Sequence, residues 1–222
     1  TEMLSQRACF LLQTGTCPYP KRILALSFKT DAAKNLRERV NVRCERESAE
    51  RLDSLTFHAF AKQVLDRFRL ALPLGKRPSA DYEIGTGKFP GFVEFPEMLK
   101  LAQELLSNTS TVRLAFQATY THLFLDEFQD CTTAQYELLR TLLFKSNIVL
   151  TAVGDANQTI MKWAKALPDA FKTLTSDFNL KEPVQLLINR RSLPYLQEVQ
   201  RSIICHKSGL ETYERRKVTG GV

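Results

Sequence analysis

The stretch THLFLDEFQD, residues 121–130, decides how the rest of the chain is read. A short apolar run ends in an adjacent carboxylate pair, Asp126 and Glu127, with Gln129 and Asp130 directly behind. A carboxylate at the tip of a buried strand costs free energy unless a cation or hydrogen-bond donors meet it. The end of this strand is therefore expected to hold a ligand.

Outward from that point, short apolar runs alternate with helical patterns. Before it, EMLSQRACFLL sets Leu4, Ala8, Leu11 and Leu12 on one helical face, and ILALSF reads as a buried strand. TDAAKNLRERV predicts a helix with Asp31 near its start and basic residues toward its end, which suits the macrodipole. SLTFHAF predicts a brief strand running into the helix AKQVLDRFRL. Residues 71–95 are rich in Pro and Gly and read as an insertion or linker. PEMLKLAQELL and TVRLAFQAT predict helices. After the carboxylate pair come the helix TTAQYELLRTLLF, the strands NIVLTAV and PVQLLI, and the helix LPYLQEVQRSII. This alternation predicts an α/β fold with a mostly parallel sheet, in which ligands bind beyond the carboxyl ends of the strands.

Composition narrows the partners. The 222 residues are 44% hydrophobic and 25% charged, enough for one substantial core. A net charge of +7 favours a polyanionic partner. The five cysteines are far apart, with no CxxC pair and no histidine at metal-ligand spacing, which points to a reducing compartment. No apolar run approaches the ~20 residues that span a bilayer, and the first residues carry no signal-peptide pattern. The expected location is cytoplasmic, with no membrane partner.

Four polar clusters each follow a predicted strand: Ser27 to Thr30, Thr56 to His58, Asp126 to Asp130, and Gly154 to Gln158. Singly, a helix cap, a hydrogen-bonded structural histidine or a turn accounts for every one except DEFQD. In a parallel sheet all four would line one edge, and that convergence points to a site.

ILALSFKTDAAKNLRERV, LTFHAF, FLDEFQDCTTAQ, AVGDANQTIMKWAKA and LLINRRS resemble motifs Ia, Ib, II, III and IV of the UvrD/Rep-type superfamily one DNA helicases, in the family's order. The resemblance covers residues 1–205. It implies a RecA-like motor domain: a mostly parallel sheet flanked by helices, with a small inserted helical subdomain. The implied division is motor domain in 1–70 and 111–205, a reduced insertion in 71–110, and the start of a following region in 206–222.

The resemblance also implies ATP and Mg²⁺ as cofactors, and single-stranded DNA and duplex junctions as partners. Asp126 is then expected to hold Mg²⁺ with the Thr1 hydroxyl, and Glu127 to orient and deprotonate the attacking water. Gln158 and Arg191 are expected at the γ-phosphate, with Gln129 and Arg190 also around the nucleotide. Such a division suits phosphoryl transfer, which is catalysed by positioning and charge stabilisation. Phe28, His58 and Trp163 match positions that line the single-strand track, where aromatic faces stack on bases; core packing is the other reading for Phe28 and Trp163. Arg190 stands where many relatives have an aromatic residue, and Ala164 follows Trp163 where an arginine is common.

The family's phosphate cradle, GxxxxGK[ST], would immediately precede Thr1; the TGK at residues 86–88 follows no strand and is no substitute. A second motor domain would follow Val222. The strand leading into the cradle is expected in mid-sheet beside HLFLD, so residues 1–222 alone are expected to fold poorly and to hydrolyse no ATP. The alternative is a non-enzymatic nucleic-acid-binding or interaction module that keeps the motor fold.

Overall fold

Helix α1 (Glu2–Gln13) forms where Leu4, Ala8, Leu11 and Leu12 recur at helical spacing, and it buries all four. The apolar run after it becomes β1 (Arg22–Ser27), buried along nearly its whole length. Then follow α2 (Thr30–Arg43), the single turn α3 (Arg46–Ala49), β2 (Leu52–Thr56) and α4 (Phe57–Phe68). Thr56 both ends β2 and caps α4, its hydroxyl accepting from the Ala59 N–H. The chain passes from strand to helix with no connecting loop.

A two-stranded parallel ladder, β3 (Glu83–Ile84) and β4 (Phe92–Val93), precedes α5 (Phe95–Asn108) and α6 (Ser110–Thr119). THLFLDEFQD supplies β5 (Tyr120–Asp126) and the turn beyond it. Helix α7 (Thr133–Leu143) opens with a reciprocal capping box between Thr132 and Gln135. Strand β6 (Val149–Ala152) and helix α8 (Ala170–Asp177) complete the first of two compact units, Thr1–Leu180. The second unit, Lys181–Val222, contains α9 (Pro194–Lys207). The computed structural model describes residues 1–158, 166–180, 183–186 and 193–207. Among them, no helix is long and apolar enough to cross a membrane.

The main sheet is parallel throughout, in the order β2-β1-β5-β6. Alternation along the two central strands splits the core in two. Leu24, Leu26, Leu123 and Leu125 face a cluster built from α4 to α8, while Ile23, Ala25 and Phe124 face α1 and α2. Helix α5 contributes Met98, Leu101, Ala102, Leu105 and Leu106 to the first cluster, so within residues 71–110 it is part of the main core. At the amino end of the sheet, Asp53 accepts two hydrogen bonds from Arg22, at 2.7 and 2.6 Å, and one from the Tyr120 hydroxyl at 2.9 Å. These contacts tie β1, β2 and β5 together.

Three expectations change. The place beside HLFLD is filled on both sides: Leu123 pairs with Leu24 of β1 and with Leu150 of β6. The open edges of the described sheet are β2 and β6, so a further strand could join only there, and the mid-sheet gap invoked for poor folding is not present. Of PVQLLI, residues 183–186 form no strand, and Val184 and Leu186 are 90% and 80% exposed, without the sheet neighbours that a buried strand needs; Leu187 and Ile188 lie outside the described residues. Finally, a disulfide links Cys9 of α1 to Cys44 at the end of α2, 35 residues apart in sequence. The pairing was invisible in the spacing because it depends on the two helices lying side by side, an arrangement that Glu2 reinforces through ion pairs to Arg39 and Arg43.

His122 faces the α1 side of the sheet and is buried, with Thr121 Oγ1 2.9 Å from its Nδ1. Burial, and secondarily the positive charge of Arg7, push its pKa below the usual 6.5; burial does the same to His58. Protons therefore bind the unfolded chain more readily. This contribution to stability is fully present above pH 6.5 and is lost as pH falls through the lower folded pKa values. Urea midpoints should fall between pH 7 and pH 5, and His122→Gln should flatten that fall. An identical fall in the variant would remove His122 as a cause.

Candidate functional site

All four polar clusters lie at the carboxyl edge of the parallel sheet. Ser27, Thr56 and Asp126 share one register across β2, β1 and β5, and residues 154–158 follow β6. His122, Phe124 and Asp126 alternate onto the α1 face, so the last of them comes up beneath the start of α1. There the Thr1 hydroxyl donates to Asp126 Oδ2 at 2.7 Å. The amino end of α1, with its partial positive charge, thus sits over a buried carboxylate. Beside it the Ser27 hydroxyl is fully buried and has no hydrogen-bond partner among the described residues.

Glu127 takes the left-handed conformation, φ 52° and ψ 44°. For a residue with a Cβ this costs about 1–2 kcal/mol, so neighbouring contacts must hold it. The next residue supplies them: the Phe128 N–H donates to Val153 O at 3.0 Å, and the Phe128 ring is buried edge-on against Phe171. The reversal turns the Glu127 side chain back toward the sheet edge, where its Oε2 accepts from Gln129 Nε2 at 2.8 Å. Gln129 Oε1 in turn accepts from the Asp155 N–H at 3.1 Å, and Asp155 Oδ2 accepts from Gln158 Nε2 at 2.9 Å. Glu127, Gln129, Asp155 and Gln158 form one hydrogen-bonded chain from β5 to the turn after β6.

Phe28 is half-buried directly after β1. His58, on the first turn of α4, meets Phe95 edge-on at a ring separation of 5.1 Å. Phe95 was not singled out from the sequence; it is 53% exposed, and a proline follows it at the start of α5. An aromatic residue left in water where a helix begins was the available signal. Asp155, the middle of the hydrogen-bonded chain, was also missed, since a Gly-Asp pair usually marks only a turn. Trp163, Arg190 and Arg191 lie outside the described residues.

Residues 1–84 and 81–179 match the family model of the UvrD/REP helicase N-terminal domain. The chain belongs to that family. Among curated proteins, this UvrD/REP domain is 24% identical to a probable DNA helicase II homolog of Mycoplasma genitalium, over 86% of the chain and 36% of that protein. It is 23% identical to the ATP-dependent DNA helicase PcrA of Leuconostoc citreum, over 94% of the chain and 36% of that protein. Over 100 residues, 45% of the chain and 15% of the relative, it is 36% identical to the ATP-dependent DNA helicase Rep of Escherichia coli. The UvrD/REP domain described here spans about a third of the length of the first two relatives.

Proposed function

We propose that this chain works as the first motor domain of an ATP-dependent DNA helicase, coupling ATP hydrolysis to movement along single-stranded DNA and to duplex separation. The observation that carries the reading is the pairing of the Thr1–Asp126 contact with the chain from Glu127 to Gln158 on one sheet edge, in a family whose relatives are named as ATP-dependent DNA helicases. In this reading residues 71–110 are the reduced inserted subdomain, packed into the main core through Leu72, Tyr82, Val93 and the apolar face of α5.

The residues suit a magnesium ion shared with a nucleotide. Thr1 and Asp126 offer hard oxygen ligands, and the unpartnered Ser27 hydroxyl beside them can accept from a metal-bound water. Among the described residues no group of three or more His, Cys, Asp or Glu could hold a metal alone. Mg²⁺ commonly takes one or two carboxylates and completes its shell with phosphates and water. When bound, the ion would neutralise charge developing on the phosphates. The protein's own part is then to hold geometry. Glu127 takes a proton from the attacking water, the Gln129 amide fixes the direction of its carboxylate, and Gln158 reports through Asp155 to the same turn. Arg191 is proposed at the γ-phosphate, Arg190 against the nucleotide base and Trp163 on the DNA track.

Phe28, His58 and Phe95 are proposed as the described part of that track, with exposed Lys29 beside Phe28 for the phosphates. The test is ATP hydrolysis, with and without single-stranded DNA, by the helicase that carries this domain. Stimulation by the strand is expected, and DNA binding without turnover would favour the non-enzymatic alternative. Phe95→Ala should weaken single-strand binding by about 5- to 150-fold, with little sequence preference and an unchanged melting temperature, because stacking is worth roughly 1–3 kcal/mol per base. Unchanged affinity would take Phe95 off the track.

A further inference from the structure

We infer that Gly154 is a positioning residue for Glu127, acting through Gln129; the inference rests on the functional reading above. Gly154 stands in the turn after β6 and is not among the described glycines with positive φ, which are Gly15 and Gly85. Its backbone therefore does not require glycine. Space does. A Cβ at Gly154 would lie 2.2 Å from Gln129 Oε1, and 3.0 Å from both the Phe128 N and Phe171 Cζ. The place a side chain would take is filled by the amide that holds the Glu127 carboxylate.

Each neighbour yields differently to an added methyl group. The Phe128 N–H is committed to Val153 O, and Phe171 is packed against the Phe128 ring, so both resist displacement. The Gln129 amide is the far end of a flexible side chain and moves most easily. Once displaced it loses both of its bonds, to Glu127 Oε2 and from the Asp155 N–H. A single methyl group at Gly154 thus releases Glu127 and uncouples it from the Asp155–Gln158 turn, while Thr1 and Asp126 remain in contact.

The experiment compares Gly154→Ala, Gln129→Ala and the double variant in the helicase that carries this domain. Each single change should lower kcat by about 10- to 100-fold, the scale of a misplaced catalytic group, with the KM for ATP within about threefold because Thr1 and Asp126 are untouched. The double variant should be no slower than Gln129→Ala, since the atom that would lie 2.2 Å from the added methyl group is then gone. Multiplying effects, or a Gly154→Ala enzyme within twofold of wild type, would overturn the inference. The side-chain amide signals of Gln129 in the ¹⁵N-labelled 222-residue chain, assigned from their loss in Gln129→Ala, give a readout independent of turnover. They should exchange slowly with water in the wild type and quickly in Gly154→Ala, and equal exchange in the two would likewise refute the positioning role. A wild-type protein that hydrolyses no ATP refutes the functional reading, while the amide signals still decide whether Gly154 sets the place of Gln129.

Discussion

Glu127→Gln, made in the helicase that carries this domain, will lower ATP hydrolysis by about 10²- to 10⁴-fold, the usual contribution of a positioned general base, and will leave ATP binding within a few-fold. The substitution keeps the size of the side chain and an oxygen able to accept from Gln129 Nε2. It leaves Asp126 and its contact with Thr1 intact. What disappears is the basic lone pair that takes the proton from water. Steady-state kcat, beside the dissociation constant of a fluorescent ATP analogue, separates the two effects. Turnover equal to wild type would remove Glu127 from the mechanism; loss of binding together with turnover would mean that the residue supports the site as a whole.

Phe124→Ala will destabilise the 222-residue chain by about 3–5 kcal/mol, the range for emptying a phenylalanine site in a core. For a chain of this length that corresponds to a fall in melting temperature of roughly 6–20 °C. Phe124 is 0% exposed in β5, with a strand on either side and α1 and α2 over its ring. Its neighbours are held by backbone hydrogen bonds and by the Cys9–Cys44 link, so they can collapse little into the space left behind. Phe144→Ala is the matched control, because that ring is largely in solvent and its removal should cost no more than about 0.5 kcal/mol. Equal melting temperatures for the two variants would show that Phe124 is not in the buried layer. The effect also bears on function, since Phe124 and Asp126 lie on the same face of one strand.

Most elements were legible in the sequence because their signals are local. Leu4, Ala8, Leu11 and Leu12 mark a helix by spacing, and ILALS and HLFLD mark strands by continuous burial between breakers. Thr56 and Thr132 announce helix starts through their own side chains. The short helix at Ala170–Asp177 and the ladder of Glu83–Ile84 with Phe92–Val93 escaped notice because they offer too few residues for a period to show. PVQLLI has the composition of a strand, but composition supplies no neighbouring strand, and residues 183–186 form none. At the site, the carboxylate pair was conspicuous because charge at the end of an apolar run is costly. Asp155 and Phe95 were not, as neither is unusual until its partner is known.

The sequence by itself determined that strands end in polar clusters, that Asp126 and Glu127 stand at the tip of one of them, and that the motifs come in the order of a helicase motor domain. Each of these is a property of residues close together in the chain. Tertiary structure decided which strands are neighbours: HLFLD lies between ILALS and VLTA, where a further strand had been expected, because pairing is fixed by how two faces of side chains pack and not by any one segment. It brought Cys9 to Cys44 and His58 to Phe95, and it set Gly154 against the amide of Gln129. Such contacts join residues far apart in sequence, and their free energy exists only once the chain has paid the entropy of bringing them together.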